Sequence, residues 1–190
     1  MNCELMEVAL YSGSFNPFHI GHLEVVKHLS RCFDKVYVVV SVQNPLKTTG
    51  ADNFNERLEN VKRVIKNENL TNVFVEDIEK NITPPYYTLK TLDALSLKYP
   101  FEIFSLCVGG DCVETFHKWH KWETILNSYG LIVIPRKGYD VKPAIAELKK
   151  QGEEPEYWHL TVLDIDVPEI SSSEIREKLK NGEDVSHFLP

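Results

Sequence analysis

Apolar positions along the chain fall into short β-branched runs separated by longer stretches with helical spacing. The runs at residues 7–12, 35–42, 72–76, 102–108, 130–135 and 159–165 have the length and composition of strands. Between them, the spacing predicts helices over 21–32, 55–67, 88–98, 113–117 together with 122–127, 142–151 and 172–180. The second run is nearly all valine after Lys35, which suits a strand buried on both faces. Strands alternating with helices predict an α/β fold, with a parallel sheet covered on both sides. At 190 residues with 43% hydrophobic content, the whole chain, 1–190, fits one domain.

In such sheets ligands bind outside the carboxyl ends of the strands, where the strand order reverses. The residues with chemical potential fall in those loops. Gly13-Ser14-Phe15-Asn16-Pro17-Phe18-His19-Ile20-Gly21-His22 links the first strand to the first helix. Its two histidines sit where free backbone N–H groups and the positive end of a helix dipole converge, a setting suited to phosphate. The loop has neither Walker nor dinucleotide-fingerprint glycine spacing. Gly109-Gly110-Asp111 follows the fourth run, Arg136-Lys137-Gly138 the fifth, and Ile170-Ser171-Ser172-Ser173 the sixth. Either Ser171 or Ser172 can cap the following helix, and Arg176 lies within about one turn of that start. Two tryptophans, Trp119 and Trp122, stand among histidines and lysines, a polar setting for core; one can be core and the other a platform for a flat ring.

The net charge of −7 argues against a nucleic-acid partner, although a local cluster of cations can still hold a small anion. Four scattered cysteines, Cys3, Cys32, Cys107 and Cys112, form neither a disulfide framework nor a zinc motif. With no apolar run of membrane length and no leader-like N-terminus, the expectation is a cytoplasmic protein without a membrane partner.

The first loop resembles the (T/S)-F-x-P-x-(H/T)-x-G-H signature of the HxGH nucleotidyltransferase superfamily, and Ile170 to Arg176 resembles its ISSTxIR element. The stretch from Gly109 through Asp111 and Phe116 to Trp119 and Trp122 is similar to the nicotinate and nicotinamide mononucleotide adenylyltransferases. So are Tyr87-Thr88-Leu89-Lys90-Thr91-Leu92 and the segment from Val133 through Arg136 to Tyr139. The resemblance implies a Rossmann-like doubly wound sheet and transfer of adenylyl from ATP to a pyridine mononucleotide. It also implies ATP-phosphate contacts at His19 and His22, a pyridine platform at Trp119 or Trp122, and Thr88 helping to seat the mononucleotide. Asn44-Pro45-Leu46-Lys47 with Phe54-Asn55-Glu56-Arg57, and the C-terminal nine residues, resemble instead the pantetheine-phosphate adenylyltransferases. That family usually has Thr at the place of His19 and lacks the tryptophan block, so the pyridine-nucleotide reading ranks ahead. A catalytically silent nucleotide sensor is the third alternative, disfavoured by the presence of His19, His22, Lys47 and Arg176 together.

The implied nucleophile is a 5′-phosphate oxygen, already anionic, so no general base is required. Catalysis then reduces to aligning two anions and stabilising charge on departing pyrophosphate. His22 is expected at the α-phosphate or bridging oxygens, assisted by His19, with Lys47 and Arg176 on the β- and γ-phosphates. Gly13, Ser14, Phe15, Ile170, Ser171 and Ser172 complete the ATP cradle, with Gly109 and Asp111 on the adenosine side and Arg136 approaching the nucleotide. Mg²⁺ would be held by phosphate and water, as no dedicated carboxylate cage is visible. The choice between acid and amide acceptor, and a homo-oligomeric state, are left open.

Overall fold

The strand pattern becomes a single parallel sheet in the computed structural model, which describes residues 5–43, 53–135 and 139–190. Its strands are β1 (Met6–Gly13), β2 (Lys35–Val40), β3 (Val73–Glu76), β4 (Glu102–Gly109), β5 (Gly130–Ile134) and β6 (Leu160–Val162). Their spatial order is β3-β2-β1-β4-β5-β6, so the order reverses between β1 and β4. The connections therefore leave toward opposite faces at the carboxyl ends of those two strands, which Gly13 and Gly109 close.

Alternation of side chains assigns the two faces. Ala9, Tyr11, Val36, Val38 and Val40 join one apolar cluster with α1 (Ile20–Cys32) and α2 (Phe54–Asn67). Val8, Leu10, Tyr37 and Val39 join the other, with α3 (Thr88–Lys98), α5 (Trp122–Ser128) and α6 (Lys142–Gln151). Both clusters are needed because the central strands are apolar on each face. A short α4 (Gly110–Val113) follows β4 directly, and α7 (Ser172–Lys180) closes the series. No helix among the described residues is long and apolar enough to cross a membrane.

Three expected elements change. The second strand ends at Val40 rather than at 42, because the backbone of Val42 bonds to side chains instead of a neighbouring strand. The expected helix over 113–117 is absent. α4 stops at Val113, one 3₁₀ turn covers Phe116–Lys118, and Lys121 adopts a left-handed φ of 52° before α5 begins. The sixth strand shrinks to Leu160–Val162, where it can pair only with β5 at the sheet edge.

Gly130 stands opposite Ser105 across β4 and β5. A Cβ there would lie 2.2 Å from Ser105 Oγ and 3.1 Å from Ser105 Cβ. Gly130→Ala is expected to lower stability by about 1–3 kcal/mol, with Ser105→Ala in the same chain restoring most of the loss; urea unfolding measures both.

Candidate active site

The loop after β1 is built around buried rings. Phe15 takes a left-handed φ of 47°, a strained backbone for a bulky residue, and its side chain is buried. Its ring meets those of Tyr11, Phe18 and His22 at centroid distances of 5.4, 5.3 and 5.0 Å. The same ring covers Gly13, where a Cβ would come within 2.9 Å of it. This packing holds the strained turn in place.

His19 is the N-cap of α1, and with His22 it forms a capping box. The backbone N–H of His22 donates to His19 Nδ1 at 3.4 Å, and that of His19 to His22 Nδ1 at 3.2 Å. An accepting Nδ1 puts the proton of a neutral imidazole on Nε2, so each ring is a donor through Nε2. The rings stack with centroids 3.6 Å apart. Gly21 leaves room for this pair, since a Cβ there would be 3.1 Å from the His19 ring and 3.5 Å from Ile170.

The loop's carbonyl groups are tied away by surrounding elements. Gly13 O accepts from Ser41 N at 2.9 Å. Ser14 O accepts from Arg57 Nη1 at 2.6 Å, and Asn16 O from Arg176 Nη1 at 2.6 Å. Pro17 O accepts from Ser172 Oγ at 3.0 Å. Thus α7 reaches across to the β1 loop. Its own start is capped by Ser171, which accepts from Glu174 N while Glu174 returns a carboxylate to Ser171 N. Arg176 Nη2 also donates to Ser173 Oγ at 3.0 Å.

A cavity of about 890 Å³ opens beside this loop. Gly13 and Ser14 line one part, and Pro84 to Thr88 with Lys118, Trp119 and His120 line another. It thereby joins expected ATP residues to the expected acceptor residues Thr88 and Trp119. Trp119 stacks on buried Phe116 at 4.8 Å, whereas Trp122 packs edge-on to Trp158 at 5.8 Å and is not among the lining residues. Of the two tryptophans, Trp119 is therefore the one on the cavity wall. Tyr87 and His120 stack at 4.1 Å on the rim. At the end of β4, Asp111 Oδ1 lies 2.6 Å from where a Gly109 Cβ would be, so a larger residue there would push the Asp111 carboxylate aside. Behind it Tyr139 donates to Glu114, which pushes the phenol up to about 12. Lys47 and Arg136 lie outside the described residues.

Among the described residues no cluster of three or more His, Cys, Asp or Glu could hold a metal ion. Burial pushes the Cys107 thiol up, away from reactivity. Sequence reasoning missed Glu79, and read Thr91 and Arg57 only as parts of family motifs, without a role of their own. Glu79 and Thr91 are buried and hydrogen-bonded to each other at 3.0 Å. The available signal was Thr91 itself, a polar residue one turn from Thr88 beside Leu92 and Leu95.

The cytidylyltransferase-like family matches residues 10–178. A protein named "probable nicotinate-nucleotide adenylyltransferase" from Flavobacterium johnsoniae is 36% identical over 189 residues, covering 97% of this chain and 92% of its own. A protein of the same name from Porphyromonas gingivalis is 34% identical, covering 97% and 90%. In fold, the chain is similar to the nicotinic acid mononucleotide adenylyltransferase of Plasmodium falciparum complexed with NaAD, with a TM-score of 0.75, 21% identity, and coverage of 96% and 90%.

Gly21→Ala should displace the His19 ring by a few tenths of an ångström and disturb the paired histidines. We expect at least about a tenfold loss of turnover, consistent with the sensitivity of positioned groups to small misplacement, with the unfolding midpoint little changed. Parallel rate and thermal-unfolding measurements check this.

Proposed function

Because the chain belongs to the cytidylyltransferase-like family, we propose that it transfers the adenylyl group of ATP to nicotinate mononucleotide, yielding the dinucleotide and pyrophosphate in NAD biosynthesis. The observation that carries this reading is the shared cavity, with the loop glycine and serine along one part and Trp119 and Thr88 along another. A 5′-phosphate oxygen of the mononucleotide attacks the α-phosphorus of ATP. A new P–O bond forms, the bond from the α-phosphorus to the bridging oxygen breaks, and its electron pair leaves with pyrophosphate. The nucleophile carries charge already, so the chain supplies alignment and anion stabilisation rather than a base.

His22 Nε2–H donates to the α-phosphate, with His19 assisting and fixing its orientation through the capping box. N–H groups of Ser14 and Phe15 and of the helix start at Ser172 take further phosphate oxygens, beside Ile170 and Ser171. Lys47 and Arg176 offset charge on the β- and γ-phosphates. Gly109 and Asp111 border adenosine, and Arg136 approaches the nucleotide. Around the described loop the donors are imidazole and backbone N–H, which suit anions rather than Mg²⁺. That ion therefore fits as part of the ATP complex, held by phosphate and water.

On the acceptor side Trp119 is the platform for the pyridine ring, seated by Thr88, while Trp122 supports α5 against Trp158. Lys118, a cationic residue among those lining the cavity, favours an acceptor carrying a carboxylate. The names of the relatives point to the same acid.

Pyrophosphate release from ATP and Mg²⁺ tests the acceptor. Nicotinate mononucleotide is expected to exceed nicotinamide mononucleotide in kcat/KM by at least about tenfold, with 4′-phosphopantetheine inert. Activity with phosphopantetheine alone would overturn the reading. In the same assay His22→Ala should lose at least ~10²-fold in turnover, the scale for a lost transition-state donor. Turnover near the wild-type level would remove His22 from the mechanism.

A further inference from the structure

Among the described residues the buried polar or charged side chains are His19, Arg57, Glu79 and Thr91. Burying charge is costly unless it is paired and bonded, so this set points to a demand beyond packing. His19 belongs to the phosphate loop. The other three form a connected unit that the reaction scheme does not use.

The backbone of Val42 lies at the centre of that unit. Its N–H donates to Glu79 Oε2 at 2.8 Å, and its carbonyl accepts from Arg57 Nη2 at 3.4 Å. Arg57 Nη1 also donates to Ser14 O at 2.6 Å and Ser41 O at 3.0 Å. On the other side, Glu79 Oε1 accepts from Thr91 Oγ1 at 3.0 Å. Thr91 is one turn from Thr88 on the same face of α3, and both Glu79 and Thr88 line the cavity. A continuous path of bonds thus runs from the phosphate loop through Arg57, the Val42 backbone, Glu79 and Thr91 to the helix that carries the acceptor wall.

We propose that Arg57 and Glu79 are a cross-brace setting the separation between the ATP phosphate loop and the mononucleotide wall, with Glu79 a positioning residue for the acceptor. The inference rests on the adenylyl-transfer reading. Two anions must be aligned for in-line attack, and a shift of about 1 Å between their cradles is enough to cost rate heavily. Burial raises the carboxyl pKa of Glu79, while the Val42 N–H, the Thr91 hydroxyl and the Arg57 charge oppose that shift. The two ends of the brace are unequal. The phosphate loop is held independently by Arg176 and Ser172, so loss of Glu79 releases the acceptor wall and spares the ATP cradle.

Initial rates with both substrates varied, alongside thermal unfolding, test this. Glu79→Gln keeps the size but turns one acceptor oxygen into a donor. It is expected to raise KM for nicotinate mononucleotide about tenfold while KM for ATP stays within about twofold. Thr91→Val, which removes only the hydroxyl, should move the same constant in the same direction. Thr91→Ser, which keeps the hydroxyl, should restore it. If Glu79→Gln does not fold, the Thr91 pair carries the test. Equal rises in both KM values, or a lowered unfolding midpoint with unchanged kinetic constants, would overturn the brace alone. No turnover by the wild-type chain with nicotinate mononucleotide would overturn the functional reading, and the brace with it.

Discussion

The active region depends on where the β1 loop sends its carbonyl groups. A loop that receives phosphate must present N–H groups to it and keep oxygen away. Here the carbonyls of Gly13, Ser14, Asn16 and Pro17 are bonded to Ser41, Arg57, Arg176 and Ser172. Those partners come from the β2 end, α2 and α7, which are distant in sequence and meet only when the sheet is assembled. The strained Phe15 backbone and the paired histidines are tolerable because these elements fix the turn from outside. Fold and site are therefore one construction: the end of β2, α2 and α7 all converge on the β1 loop.

The same arrangement explains how a chain of net charge −7 can serve an anionic ligand. Charge is not spread over a basic surface but focused by buried donors and helix starts. The Nδ1 atoms of His19 and His22 accept backbone N–H groups, so local capping leaves Nε2 as the donor that the proposed phosphate contact uses. Arg176 performs two tasks, holding Asn16 and adding positive charge beside the loop.

Much of this was legible in the sequence where interactions are local. The strand–loop–helix context of His19 and His22, a serine cap at Ser171 or Ser172, and the bounds of α3, α6 and α7 all follow from short-range pattern, and the Ser171–Glu174 box then decides which serine caps. Long-range bonds escaped it. The end of β2 is decided by Glu79 and Arg57, whose pairing with residue 42 no periodicity reveals. After β4 the helix expected over 113–117 gives way to a 3₁₀ turn, and Lys121, a residue type with no turn signal, takes a left-handed φ before α5. Trp119 and Trp122 have equivalent sequence settings, and only packing on Phe116 or on Trp158 separates them. The positions of Lys47 and Arg136 fall outside the described residues.

The most direct test of the central claim is an experimental structure with a non-hydrolysable ATP analogue and nicotinate mononucleotide bound together. The account predicts the α-phosphate within about 3 Å of His22 Nε2, the pyridine ring on Trp119, and the carbonyls of Ser14, Asn16 and Pro17 still bonded to Arg57, Arg176 and Ser172. A triphosphate bound away from the β1 loop, or a pyridine ring remote from Trp119, would contradict it.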